Sequence, residues 1–133
     1  MITKRIVFTA VIMFVALLTA SAQKIMQKNS TELSQILAKD KKIVILDVRT
    51  PQEFAAGHLK GAVNIDIYQD NFYTRIDKLD KKTSYMVYCR TSNRSGVTVT
   101  YMKQKGFALV YQMMDGFPGW AYNKLPYEKA LNP

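Results

Sequence analysis

The chain has one cysteine, Cys89, among 133 residues. An internal disulfide is therefore excluded, although small exported domains commonly rely on several. A lone thiol is a liability in an oxidising compartment unless it is buried or used. The single histidine, His58, leaves no His-rich cluster, and the seven methionines show no Met-x-Met spacing beside histidines that would hold copper. There is no internal repeat and no low-complexity tract. Basic residues are not interleaved with aromatics, which argues against nucleic acid as a partner. No cysteine lies near residue 22, so a lipid anchor is not expected there.

What is present begins with a leader. "MITKR" is a short basic start, "IVFTAVIMFVALL" is uncharged and apolar, and "TASAQ" offers an A-x-A cleavage pattern at Ala20 and Ala22. These read as a secretory signal peptide over 1–22, cut after Ala22. The apolar run is shorter than the roughly 20 residues a spanning helix needs. Cleavage is therefore expected over a retained anchor, with no stable membrane association afterwards. Export follows, most simply to a bacterial periplasm. The mature chain would have 133 − 22 = 111 residues, and losing Lys4 and Arg5 takes the net charge from +9 to +7. That length suits one small domain. Positive charge favours small anionic substrates. Lys24, Lys28, Lys39, Lys41, Lys42, Lys81 and Lys82, however, fall mostly in turns and tails and read as solvated surface.

Patterning divides the rest into a short polar leader over 23–29, a domain over 30–128 and a tail over 129–133. "NSTELSQILAKD" predicts a helix capped by Asn29 or Ser30, with Leu33, Ile36 and Leu37 on one face. "KIVILDV" is a β-branched run typical of a strand buried on both faces of a parallel sheet. "TPQEFAAGH" predicts a short helix with Pro51 in its first turn and Gly57 as its stop. "GAVNID", "SYMVYC" and "FALVYQM" read as strands, and "NFYTRIDKL" and "SGVTVTYMKQKG" as helices. "DGFPGWAYN" reads as a turn and a short helix. Strands alternating with helices predict an α/β fold with a parallel central sheet and helices on both faces. Ligands in such sheets bind beyond the carboxyl ends of the strands. Cys89 closes a strand and precedes a helix, so it stands where chemistry is expected.

"CRTSNRSG" then shapes that thiol's surroundings. A strand-to-helix loop turns successive N–H groups towards one centre, and the helix that follows adds its positive end. Arg90 and Arg94 add two formal charges. All three favour an anionic sulfur, which is the nucleophilic form. Two chemistries use this design: attack on phosphate, and attack on the outer sulfur of a donor. Tyrosine-phosphatase loops place five residues between cysteine and arginine. Only four separate Cys89 from Arg94, and the tighter ring suits a terminal sulfur.

The sequence resembles a single-domain rhodanese, a sulfurtransferase. "CRTSNRS" resembles the family's six-residue active loop, "LDVRTPQEFAAGHLKGAVNID" its signature near the first buried strand, and "GFALVYQMMDGFPGW" its closing segment. The likeness runs from about Ser30 to Lys124. One departure is Phe117–Pro118 where the family often has a second glycine and an aliphatic residue; the cysteine loop is untouched by it. The resemblance implies a rhodanese-like fold and a persulfide cycle without cofactor or metal. Cys89 takes sulfane sulfur from thiosulfate or a related small anionic donor. The N–H groups of Arg90, Thr91, Ser92, Asn93, Arg94 and Ser95 hold it, and cyanide or a thiol, including a thiol of a partner protein, accepts it. Arg90 is expected to recognise the donor and Arg94 to shape the loop.

Other residues read as scaffold. Asp47 and Arg49 leave the first buried strand, and Glu53 is four residues beyond Arg49, so an Arg49–Glu53 ion pair is expected to fix the turn. Asp47 is expected to line the pocket. His58 follows a helix stop and reads as a loop tie rather than a base. Phe117 and Trp120 read as core or pocket wall. A module that carries persulfide to a partner, or merely docks one, is the alternative function. A phosphatase or arsenate reductase is disfavoured by the short loop and the missing second cysteine.

Overall fold

The computed structural model describes residues 22–130. The expected signal peptide falls outside these residues except for Ala22, as does the end of the expected tail. The first helix, α1 (Ser30–Lys39), starts where the sequence supplies a reciprocal cap. The Asn29 side chain accepts from the Glu32 amide at 2.9 Å, and the Glu32 carboxylate accepts from the Asn29 amide at 3.1 Å. The second, α2 (Pro51–Ala56), repeats the device with Thr50 and Glu53, and Pro51 occupies its first turn. Three further helices are α3 (Phe72–Asp77), α4 (Asn93–Gln104) and α5 (Gly116–Tyr122).

Five parallel strands form the sheet in the order β1 (Lys24–Lys28), β6 (Leu109–Met113), β5 (Ser84–Tyr88), β2 (Val44–Asp47) and β4 (Val63–Asn64). The segment expected as a polar leader is thus an edge strand, paired with β6 from Lys24↔Leu109 to Lys28↔Met113. Its sequence, KIMQK, hides this because only Ile25 packs against the main core. Lysines at both ends suit an edge exposed to water. A two-stranded antiparallel ribbon, β3 (His58–Leu59) with β7 (Tyr127–Glu128), is too short to leave a pattern in the sequence.

Side chains alternate along β5 because the strand repeats every two residues. Tyr85, Val87 and Cys89 join the core under α3 and α4, which supply Phe72, Ile76, Val99 and Met102. Met86 and Tyr88 join the opposite core, with Leu33 of α1 and Trp120 of α5. Chain direction fits this division. Connections running from β2 towards β4 pass one face, and those running from β5 towards β6 pass the other, as right-handed crossovers require.

Leu33 has no exposed surface, so Leu33→Ala leaves a cavity and should cost about 2–5 kcal/mol of unfolding free energy. Tyr122, which is 86% exposed, should tolerate alanine within about 0.5 kcal/mol. Urea denaturation of the two variants checks the contrast.

Candidate active site

β2 and β5 are neighbours whose next strands lie on opposite sides, β4 for one and β6 for the other. A crevice opens at such a switch point beyond the carboxyl ends. Val48, Arg49 and Cys89 emerge there. β5 ends at Tyr88, and α4 begins at Asn93, two residues earlier than the sequence pattern indicated. Asn93, Arg94 and Ser95 therefore form the first helical turn. Only Cys89, Arg90, Thr91 and Ser92 span the gap.

The first amides of any helix lack partners within it. Ser92, the residue before α4, makes no side-chain cap. The Ser95 amide instead donates to Cys89 Sγ at 3.3 Å, so the thiol sulfur caps the helix. Ser95 is the one loop amide with a hydrogen bond to Sγ among the described residues. Gly96 N–H donates to the Ser92 carbonyl at 2.8 Å, and Asn93 N–H lies 3.5 Å from Thr91 Oγ1. Cys89 and Ser95 are buried, Ser92 and Arg94 are half-buried, and Arg90, Thr91 and Asn93 are exposed.

Gln112 was not singled out by sequence, yet it supports this loop from β6. Its side-chain amide donates to the Ser92 carbonyl at 3.0 Å and to Ser95 Oγ at 3.2 Å. Nothing local marks it, because an isolated glutamine in a strand has many ordinary uses. From the other side, the Phe117 amide donates to the Cys89 carbonyl at 2.9 Å. This approach needs glycine at 116. Gly116 has φ of +61°, and a Cβ there would overlap the Arg90 carbonyl.

Arg49 does not pair with Glu53, as the four-residue spacing suggested. It pairs with Asp47, Nη2 to Oδ2 at 2.6 Å, and also donates to the Gly57 carbonyl at 2.6 Å. The guanidinium lies 4.5 Å from the Phe117 ring centre and 5.4 Å from that of Tyr88. Burial is the largest single influence on Arg49 and opposes its charge, but the hydrogen bonds and the negative charge of Asp47 together outweigh it and raise the guanidinium pKa. Asp47 is fully buried and so lies beneath the crevice rather than lining it. Burial, helped by the Asp47 charge, pushes the Tyr88 phenol well up, and its oxygen accepts from the Leu59 amide at 3.1 Å.

Glu53 turns instead to the loop. Arg94 grips it through two bonds of 2.8 and 2.9 Å. The same carboxylate caps α2 through Thr50, so one residue joins two helix starts. The Arg94 fork pulls the Glu53 carboxyl down to about 2, and it raises Arg94 in return. Arg94 thus shapes the loop by anchoring it, while Arg90 stays exposed with its charge free of any ion pair among the described residues. His58 Nδ1 hydrogen-bonds to the Phe54 carbonyl at 2.7 Å, and its ring stacks on Phe54. It is a structural tie.

The rhodanese-like domain family matches residues 29–123. A sulfurtransferase of Allochromatium vinosum is 31% identical over 98 residues, covering 74% of this chain and 90% of the relative. The thiosulfate sulfurtransferase GlpE of Pseudomonas putida is 37% identical over 84 residues, covering 63% and 74% respectively. The crystal structure of the Alr3790 protein of Anabaena shares the fold with a TM-score of 0.69 at 24% identity, over 79% of this chain and 83% of that one.

Removing one partner of the buried pair strands the other charge, so Asp47→Asn should cost about 3–5 kcal/mol in urea denaturation. Glu53 has its folded pKa depressed from an ordinary 4.5 to about 2. Its contribution is present above pH 4.5 and lost as pH falls towards 2. Glu53→Gln should therefore be less stable than the native chain at neutral pH and show a shallower loss of stability across that window. Stability curves measured at a series of pH values test this.

Proposed function

This chain belongs to the rhodanese-like domain family, and on that premise we propose that it is a sulfurtransferase whose sulfur carrier is Cys89. The observation that carries the reading is the bond from the Ser95 amide to Cys89 Sγ. The only thiol of the chain accepts from the start of a helix, where an anion is stabilised by both the amide and the helix's positive end. Relatives named sulfurtransferase and thiosulfate sulfurtransferase support transfer of sulfur as the reaction class.

The cycle has two displacements. The Cys89 thiolate attacks the outer sulfur of thiosulfate or a related donor. The Cys89 S–S bond forms, the donor's S–S bond breaks, and sulfite leaves with the electron pair. A nucleophilic acceptor then attacks the outer persulfide sulfur, and the Cys89 thiolate departs with the pair of the S–S bond. Cyanide serves in an assay and a thiol, free or on a partner protein, in the cell. The reactive form is the thiolate, whose charge the Ser95 amide and the start of α4 favour. Exposed Arg90 meets the anionic donor at the loop's outer side. Cys89 has no exposed surface, so the loop has to shift for the donor to reach sulfur. Arg94, held by Glu53, keeps the helix end of the loop in place during that shift. The leader over 1–22 puts this chemistry outside the cytoplasm, most simply in a bacterial periplasm.

The protein should convert thiosulfate and cyanide to sulfite and thiocyanate. Intact mass after thiosulfate alone should rise by one sulfur atom, and Cys89→Ser should abolish both effects. Turnover retained in that variant removes the proposal. A sulfur load without turnover makes the chain a persulfide carrier instead. Mass of the protein recovered from cells reads the cut after Ala22.

A further inference from the structure

Ile45 lies in β2, paired with Met86 of β5 and one residue before the pairing with β4 begins, and it is only half-buried. Both faces of a parallel sheet are normally covered, because crossover helices pack on them. The crossover from β2 to β4 supplies only the six-residue α2 and the two-residue β3. A cavity of about 670 Å³ opens on that face. Leu37 of α1, Ile45, Leu59, Val63 and the Trp120 ring form apolar walls. Its volume falls within the ~300–1,000 Å³ usual for small-molecule sites.

The rim is not apolar. Lys41, Lys42 and Lys60 border the cavity, against a single acidic residue, Asp40. The Asp40 carboxylate accepts from the Lys42 backbone amide at 2.9 Å, which turns it into the turn. The Trp120 indole N–H is satisfied by the Pro126 carbonyl at 2.9 Å, so the ring offers the cavity an apolar face. Cys89 belongs to the core on the other side of the sheet. Donor chemistry therefore does not account for this cavity; thiosulfate has no apolar part to fill it.

The geometry points to a second ligand site, which takes a small amphiphilic anion: a medium-chain aliphatic carboxylate with its tail against Ile45, Leu59 and Trp120 and its head among the lysines. Tail burial supplies the attraction, about 25 cal/mol for each Å² removed from water. The lysines select the sign of the head group. Bare aliphatic cations of the same length meet three ammonium groups and are rejected.

Trp120 is the only tryptophan of the chain, so its emission reports the site directly. Titration of the purified protein with decanoate should give a saturable change in that emission. Decyltrimethylammonium should bind about tenfold more weakly or worse. Val63 is 45% exposed, so Val63→Glu should fold and place a carboxylate in the wall, abolishing the response. Exchanging Lys42→Glu and Lys60→Glu together should reverse the preference between the two probes. Rhodanese activity of these variants, measured with thiosulfate and cyanide, should be unchanged, which separates this site from the Cys89 loop. No saturable response to decanoate overturns the proposal. So does equal response to both probes, or a response that Val63→Glu leaves intact.

Discussion

The buried pair between Arg49 and Asp47 holds the crevice together. Neither charge would be stable there alone, and each satisfies the other through a fork of short bonds. Arg49 then reaches further than its partner. It fixes the end of α2 through the Gly57 carbonyl and lies over the rings of Tyr88 and Phe117. Tyr88 precedes the thiol in the chain, and the Phe117 amide holds the thiol residue's carbonyl. Three elements that share no local sequence are thereby set around Cys89. Asn64 adds a fourth by donating to the carbonyls of Asp47 and Arg49.

Around that pillar the loop is fixed at points other than the sulfur. Gln112 holds the Ser92 carbonyl, Glu53 holds Arg94, and Gly116 allows the backbone of α5 to approach Arg90. The arrangement keeps the Ser95 amide aimed at Sγ without a side-chain cap at Ser92. It also divides the work of two arginines that look alike in sequence. Arg94 is committed to a carboxylate and acts on the loop's shape. Arg90 remains in solvent, where its charge is available to an incoming anion.

The two faces of the sheet bury separate cores because β5 alternates. Odd-numbered residues from Tyr85 to Cys89 point to α3 and α4, and even-numbered ones to α1 and α5. The short crossover between β2 and β4 leaves the second face open over Ile45. The apolar cavity there is thus a consequence of topology, and it is insulated from the thiol by the sheet itself.

Much of this was legible in one dimension. The capping residue Asn29, Pro51 in the first turn of α2, the β-branched run of β2, the stop at Gly57 and the strand–loop–helix around Cys89 are local signals, so the α/β class and the place of the thiol could be read from them. KIMQK could not be read as a strand, because an edge exposed to water needs little apolar patterning. The partner of Glu53 was misassigned for a related reason. Sequence spacing offered Arg49, whereas folding brought Arg94 within 2.8 Å across 41 positions. Gln112 and Gly116 gain their meaning only beside a loop more than ten residues away. The sequence by itself determined most of the elements that form and where the one thiol stands between them, since propensity and chemistry reside in individual residues. Tertiary structure alone decided which charge is spent, which is free and which amide meets the sulfur, because those depend on contacts between segments that the chain brings together only when the sheet closes.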